Sequence, residues 1–275
     1  MADPRLYQIG TLASLLVYGM GWLDFDITAG RAALLLGSVL ATQWVCDRAT
    51  GSTQPFRLSA RSALISGLSL CLLLRTNRPE LAMAAAIVTI ASKFLIRVDG
   101  KHVFNPTNGG IIAMLVVTNQ VWVSPGQWGA AASFAFLMAC AGLLVVTRAA
   151  RSDVTIAFIV AYGALVFGRS LLLGEPAAIP LHRLESGALL LFTFFMISDP
   201  KTTPDSRAGR LLFAALVAFG AWYVQFRLFR TNGLLWSLAA GSMLVPIIDR
   251  VVPGARYQWR TSRSASPSMP ALRAA

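Results

Sequence analysis

Two stretches of this sequence set hydrogen-bonding side chains beside prolines in an otherwise apolar chain. The first runs from Lys93 to Gly110 and carries Arg97, Asp99, Lys101, His102, Asn105, Pro106, Thr107 and Asn108. Pro106 lacks a backbone donor and suits a first helical turn, and Asn105 and Thr107 bring side chains that cap free N–H groups. A helix opening there aims its positive dipole end at the loop, so the chemistry on offer is capture of an anionic ligand without a metal. The same string also reads as a plain helix start. The second stretch, Met196 to Asp205, gathers Ser198, Asp199, Lys201, Thr202 and Thr203 around Pro200 and Pro204. Short polar side chains on a backbone fixed by two prolines make a rigid turn, which serves either as a connection or as the wall of a site. Asn105, Pro106, Thr107, Asn108, Ser198, Asp199, Lys201, Thr202 and Thr203 are therefore the candidate cofactor- or substrate-binding residues.

Other chemistries lack their residues. The two histidines, His102 and His182, fall on opposite predicted faces, so they cannot share a haem or a metal. Apolar stretches carry almost no Asp or Glu away from their ends, where proton relays usually keep buried carboxylates; Asp24, Glu185 and Asp199 are all boundary residues. No nucleophile and base set or phosphate loop sits in a loop long enough to form a soluble active site. Cys46, Cys71 and Cys140 stand alone, without the spacing of a disulfide framework or a zinc site. The expectation is no catalytic residues, no metal site and no self-contained enzyme.

The elements that must position these turns are membrane spans. The chain has 275 residues, 56% hydrophobic and 13% charged, with a formal net charge of +12. On a soluble protein that charge would suggest nucleic acid; here the basic residues belong to loops around apolar spans, so the partner is a lipid bilayer. Ten apolar stretches are long enough to be read as crossings: Leu6 to Leu23, Ala32 to Cys46, Ser59 to Leu74, Leu81 to Ile96, Asn105 to Ser124, Gly129 to Val146, Val154 to Leu172, Leu184 to Ile197, Leu211 to Val224 and Gly233 to Ile248. The first has no basic flank or small-residue cleavage site and reads as a retained helix. Seventeen basic residues fall on the side of the termini and seven on the other, which predicts both termini, His102 and Lys201 in the cytoplasm, with Asp24, Arg78, His182 and Arg230 outside. The tryptophans, among them Trp22, Trp44, Trp122, Trp128, Trp222, Trp236 and Trp259, mostly fall near span ends, as interface anchors do. Residues 1–252 form one transmembrane domain, and residues 253–275 a basic, flexible cytoplasmic tail.

The chain also repeats itself. Ser66-Gly67-Leu68-Ser69-Leu70-Cys71-Leu72 resembles Ser186-Gly187-Ala188-Leu189-Leu190-Leu191-Phe192, and Thr107-Asn108-Gly109 matches Thr231-Asn232-Gly233 at nearly the same offset. The first pair relates span three to span eight, the second span five to span ten. Two halves of five spans, about 6–126 and 127–250, follow. Because five is odd, the second half enters the membrane upside down. The predicted fold is an all-α integral membrane protein built as a five-plus-five inverted repeat.

The polar turns carry a resemblance to a known family. Phe104-Asn105-Pro106 resembles the Phe-Asn-Pro-Ala element, and Ser198-Asp199-Pro200 the Thr-Asp-Pro element, of the RnfD and NqrB type membrane subunits from ion-pumping Rnf and sodium-translocating quinone reductase complexes. The strings His102-Val-Phe-Asn-Pro-Thr-Asn108 and Phe194-Phe-Met-Ile-Ser-Asp-Pro-Lys-Thr-Thr-Pro204 resemble most closely the UnbU-like branch associated with enediyne biosynthesis. The resemblance, over roughly residues 60–250, implies a fold similar to urea transporters, an inner-membrane location and neighbouring membrane subunits. It also implies redox-linked transport or an ancillary place in an electron-transfer complex. That family attaches FMN to the Thr of a Ser-Gly-Ala-Thr motif, whereas Ser186-Gly187-Ala188 is followed by Leu189, so no covalent flavin is expected. Non-covalent riboflavin or FMN, which the family fold can hold, stays open, as do a stand-alone small-solute channel or exporter and a structural helix-packing subunit.

Overall fold

The computed structural model describes residues 3–23, 25–124, 142–143, 146–147 and 151–257. Most of the expected sixth span, the boundary at Gln127, and Asp24, Trp128, Cys140, Trp259 and the chain after Tyr257 lie outside those residues. In chain order the described elements are α1 (Pro4–Trp22), α2 (Ala29–Ala49), α3 (Phe56–Leu73), β1 (Leu74–Thr76), α4 (Pro79–Leu95), β2 (Arg97–Val98), β3 (Lys101–His102), α5 (Pro106–Val117) and β4 (Val121–Val123). After the gap come α6 (Ser152–Leu173), α7 (Ala178–Leu184), α8 (Gly187–Leu191), a π-helical turn (Phe192–Met196), α9 (Arg207–Phe226) and α10 (Gly233–Val251). By length and composition α2, α3, α6, α9 and α10 can cross a membrane. At 17 and 12 residues, α4 and α5 are shorter.

Helix ends follow from local chemistry. Thr28 accepts from Arg31 N at the start of α2, Asn105 from Asn108 N at the start of α5, and Ser206 from Gly209 N at the start of α9. Gly174, at a φ of 66°, ends α6 in the left-handed conformation that glycine enters without a Cβ penalty. α2 packs on α3 and α4, α4 on α5, and α1 on α3; α6 packs on α9, and α9 on α10; α5 meets α10. The core these contacts enclose includes Leu12, Leu35, Leu70, Ile90, Ile111, Phe158, Phe192 and Phe213. The close approach of α4 and α5 depends on Gly110, where a Cβ would overlap the Thr89 side chain.

The structure departs from the sequence expectation in four places. It is not purely helical: β1 pairs antiparallel with β4, and β2 with β3. These ladders satisfy backbone groups of segments that lie outside the helices. The fifth span stops as a helix at Val117, and the β-branched Val121 and Val123 extend it as strand. The eighth span, expected from Leu184 to Ile197, starts where α7 ends and is made of the short α8 and the π-helical turn, in which Ile197 N reaches back to Phe192 O. Hydroxyls take carbonyls in and beside this irregular stretch: Thr193 donates to Leu189 O, Thr155 to Thr193 O and Ser198 to Phe194 O. Finally, the first residues of the expected flexible tail are docked. Arg256 donates to Asp99 O at 2.7 Å, and Gly254 lies against the backbone of Asp205 and Ser206, where a side chain would not fit.

Candidate functional site

The two polar turns meet. Asn105, which caps α5, accepts from Asn108 N through Oδ1 at 3.2 Å and donates through Nδ2 to Asp199 Oδ2 at 3.2 Å. The same Nδ2 approaches Met196 O at 3.4 Å. One amide therefore ends a helix and fastens it to a turn 94 residues away in sequence. Asp199 in turn organises its own loop: Oδ1 accepts from Lys201 N, and its carbonyl accepts from Thr202 N and Thr203 N, both at 3.1 Å. Thr107 Oγ1 approaches Ser66 O of α3 at 3.4 Å, bringing a third element to the same place.

A narrow cleft of about 60 Å³ opens here, lined by Ser62, Ser66 and Ser69 of α3, the start of α5, Phe194, Phe195, Ser198 and Asp199, and by Pro4, Arg5 and Gln8 of α1. Of the expected site residues, Asn105, Pro106, Thr107, Ser198 and Asp199 line it, whereas Asn108, Lys201, Thr202 and Thr203 stand behind it. Two of those behind it are unsatisfied. Asn108 is 0% exposed, yet neither its Nδ2 nor its Oδ1 has a hydrogen-bond partner, and the buried Thr203 Oγ1 also lacks one. Buried polar groups are nearly always bonded, so each such atom asks for an occupant.

The field around the turn is dominated by cations. Burial pushes the Asp199 carboxyl above its usual range, opposed by the Lys201 backbone N–H and by the charges of Lys201 and Lys93. His102, in β3, is driven down to about 4, first by burial and then by Arg97 and Lys93, so it is a neutral imidazole at physiological pH. The surroundings of Lys93 go beyond what the sequence reading found. Its ammonium, on α4, donates to Gln43 Oε1 at 2.7 Å; Gln43 donates to Asp47 at 2.8 Å, and Ser59 to the other Asp47 oxygen at 2.6 Å. The signal available was one amide and one amine inside apolar stretches of α2 and α4, positions where uncharged residues are the norm.

A second cavity, about 750 Å³, opens at the β1–β4 end of the molecule, away from His102 and Asn105. Arg169 pairs with Glu175 at 2.9 Å, and the guanidinium groups of Arg169 and Arg183 lie 4.6 and 4.9 Å from the Phe226 ring centre. The repeated Thr231-Asn232-Gly233 lines this cavity. The π-helical turn divides the two spaces: Phe194 and Phe195 face the cleft, Phe192 and Met196 the larger cavity. His182 belongs to α7, next in sequence to Arg183, which lines this cavity. Among the described residues no cluster of three or more His, Cys, Asp or Glu is arranged to hold a metal.

Known proteins resemble this chain in sequence. The chain is 25% identical over 241 residues to a Cronobacter sakazakii protein named as one of the subunits of an ion-translocating oxidoreductase complex, a match covering 86% of this chain and 66% of that one. Proteins of the same name from Erwinia tasmaniensis and Escherichia coli K12 are 29% and 27% identical over 144 and 131 residues, about half of this chain. The matches take in 37% and 33% of those two proteins, so the chain corresponds to a part of these relatives. Residues 115–258, just over half of the chain and inclusive of the Ser198-Asp199-Pro200 turn, match the family described as NQR2, RnfD, RnfE. The chain belongs to that family of membrane proteins.

Proposed function

We propose that this protein is a multi-pass inner-membrane subunit of an RnfD-type electron-transfer complex, assembled with other membrane subunits, and that the joined polar turns hold a non-covalent flavin. The observation that carries the ligand is the Asn108 amide, wholly buried with donor and acceptor both unused, one helical turn from the Asn105–Asp199 bond. The pyrimidine edge of riboflavin or FMN alternates carbonyl acceptors with an N–H donor. An amide with one free donor and one free acceptor complements that edge, and Thr203 Oγ1 adds a further partner, both being reached only once the cleft extends past the residues that now line it. When bound, the flavin would supply one- and two-electron chemistry. The chain's own residues would orient the ring edge, keep water from it and hold Asp199 as an acceptor. At about 60 Å³ the cleft must widen to admit a tricyclic ring, since pockets for ligands of that size run to about 300 Å³ or more.

The fold proposed with it is the ten-span inverted repeat of the UnbU-like branch. Packing supports the repeat: the sequence of contacts α2 to α4 to α5 recurs as α6 to α9 to α10, and both Thr-Asn-Gly strings open helices. Both termini belong in the cytoplasm. His182→Cys, in a background without native cysteines, should then react with a membrane-impermeant maleimide only from outside the cell. Reaction only from the cytoplasm overturns the orientation.

Purified protein should be yellow and release its flavin on denaturation, with no fluorescent band on a denaturing gel, because Leu189 offers no hydroxyl for a phosphoester. Asn108→Ala should lower flavin content at least tenfold, as removal of a paired polar contact worth about 1.5 kcal/mol does. A folded, colourless preparation refutes the flavin. It would favour the second reading, a small-solute channel or exporter, which draws support from two cavities that the π-helical turn lines from either side.

A further inference from the structure

The cavity at the β1–β4 end has a basic wall for which the polar cleft has no use. Three arginines line it, Arg169 on α6, Arg183 on α7 and Arg230 in the turn before α10, against one carboxylate, Glu175. That carboxylate is already engaged: it accepts from Arg169 Nη1 at 2.9 Å and from Ser170 Oγ at 2.8 Å. Arg183 is half-buried, yet its guanidinium donates no hydrogen bond among the described residues, and the exposed Arg230 side chain donates none there either. Gln225 Oε1 accepts from Tyr162 Oη at 2.9 Å, which leaves the Gln225 Nε2 donor to the cavity.

With Arg169 and Arg183 both against the Phe226 ring, two like charges gather at one aromatic side chain, and the single acid offsets one of them. The start of α10 strengthens the same field. Gly233 to Leu235 lie in the wall and the N-cap Asn232 makes no side-chain capping bond, so the positive end of a 19-residue helix is uncapped there. Much of the remaining wall is apolar, with Leu73, Trp122, Val123, Phe192, Met196 and Leu234. Phe229, which also lines the cavity, is 84% exposed and held at a φ of 52°, a left-handed conformation that bulky residues rarely enter, so little packing offsets its strain. An apolar body laid against the ring would supply that packing.

We propose that this cavity binds an anionic amphiphile, its phosphate or carboxylate head taken by Arg183 and Arg230 and its alkyl body laid along the apolar wall. A guanidinium fork with unused donors matches two oxygens of such a head at once, and a half-buried setting strengthens the pairing. At about 750 Å³ the cavity is of the size that holds small organic ligands, enough for a head group and the first part of a chain. The site is separate from the Asn105–Asp199 cleft and does not depend on what occupies that cleft.

Dioleoyl phosphatidylglycerol, dioleoyl phosphatidylcholine and hexyl phosphate are titrated against the detergent-solubilised full chain, with the unfolding temperature followed by tryptophan fluorescence. The anionic lipid should raise that temperature saturably, as a ligand of the folded state does, and the zwitterionic lipid should need at least tenfold more. Arg183→Gln should raise the half-saturating phosphatidylglycerol concentration about tenfold, the equivalent of about 1.4 kcal/mol. Arg183→Lys, which keeps the charge but not the fork, should recover part of the affinity. Arg57→Gln removes a charge from the exposed start of α3 and should change nothing, each variant being compared with its own ligand-free value. A gain with hexyl phosphate that Arg183→Gln weakens supports the site with a dissolved acid as its ligand; a gain confined to phosphatidylglycerol and weakened in the same way supports it with a membrane lipid. A gain that survives both Arg183→Gln and Arg230→Gln undiminished, or no gain with either anion, overturns the site.

Discussion

Replacing Asn105 by alanine is expected to leave the protein in the membrane and to abolish its activity or its assembly with partner subunits. Asn105 does two jobs with one amide. Its Oδ1 caps α5, a contribution of about 1 kcal/mol, and its Nδ2 donates to the Asp199 carboxylate, a hydrogen bond to a charged group worth about 1.5–3 kcal/mol. Together these put about 3 kcal/mol into the join between the start of α5 and the Asp199 turn. Asp199→Ala removes the acceptor from the other side and also frees Lys201 N, so it should match the effect. Asn105→Asp separates the two jobs: an oxygen still caps α5, but a second carboxyl now faces Asp199 Oδ2, so the join fails although the helix start survives. Membrane-fraction yield with flavin content, or co-purification of partner subunits, measures all three. Full function in Asn105→Ala would reduce the two turns to independent helix caps.

The turns are legible in the sequence because their signals are local. Asn105-Pro106 announces a capped helix start, and Ser198-Asp199-Pro200 a rigid turn, whatever the fold around them. That they touch is a long-range fact, and only the repeat, which brings span five and span eight to the same side, hints at it. Apolar periodicity finds α2, α3, α4, α6, α9 and α10 to within a few residues, since each is a continuous run closed by a cap, Gly or Pro. It fails where the run outlasts the helix. Val121 and Val123 are as apolar as a span requires, yet they pair antiparallel with Thr76 and Leu74, more than 40 residues earlier in the chain, a choice made by tertiary pairing.

The eighth span hides its breaks for a related reason. Leu184 to Ile197 looks like one helix, but Ser186 restarts the chain after α7, and the π-helical turn is held by hydroxyls of Thr155, Thr193 and Ser198 whose partners the sequence does not reveal. The Lys93, Gln43 and Asp47 chain is equally hidden, because each residue belongs to a different role when read alone: a basic flank, a tolerated amide and a span-end acid. Only packing of α2 against α4 makes them neighbours.

Lys101→Met should lower the unfolding temperature of the detergent-solubilised protein by about 8 °C, from a loss of about 3 kcal/mol. The Lys101 ammonium lies 3.0 Å from Asp205 Oδ1 and 2.8 Å from Asp249 Oδ2, with all three side chains less than a fifth exposed. Asp249 also accepts from Asp205 N at 2.8 Å, so the two acids are held together whether or not the lysine is there. Methionine keeps the bulk but leaves two carboxylates without the shared cation. Adding Asp205→Asn or Asp249→Asn to Lys101→Met removes one of the two uncompensated charges and should restore part of the lost temperature. The clasp joins β3, the turn after Asp199 and the end of α10, and Lys101 is only four residues before Asn105. Loosening it should therefore also widen the position of the α5 start, so that Lys101→Met costs ligand retention at the cleft although Lys101 does not line it. An unchanged unfolding temperature would mean that water already screens the triad, and that the α5 start is held by Asn105 alone.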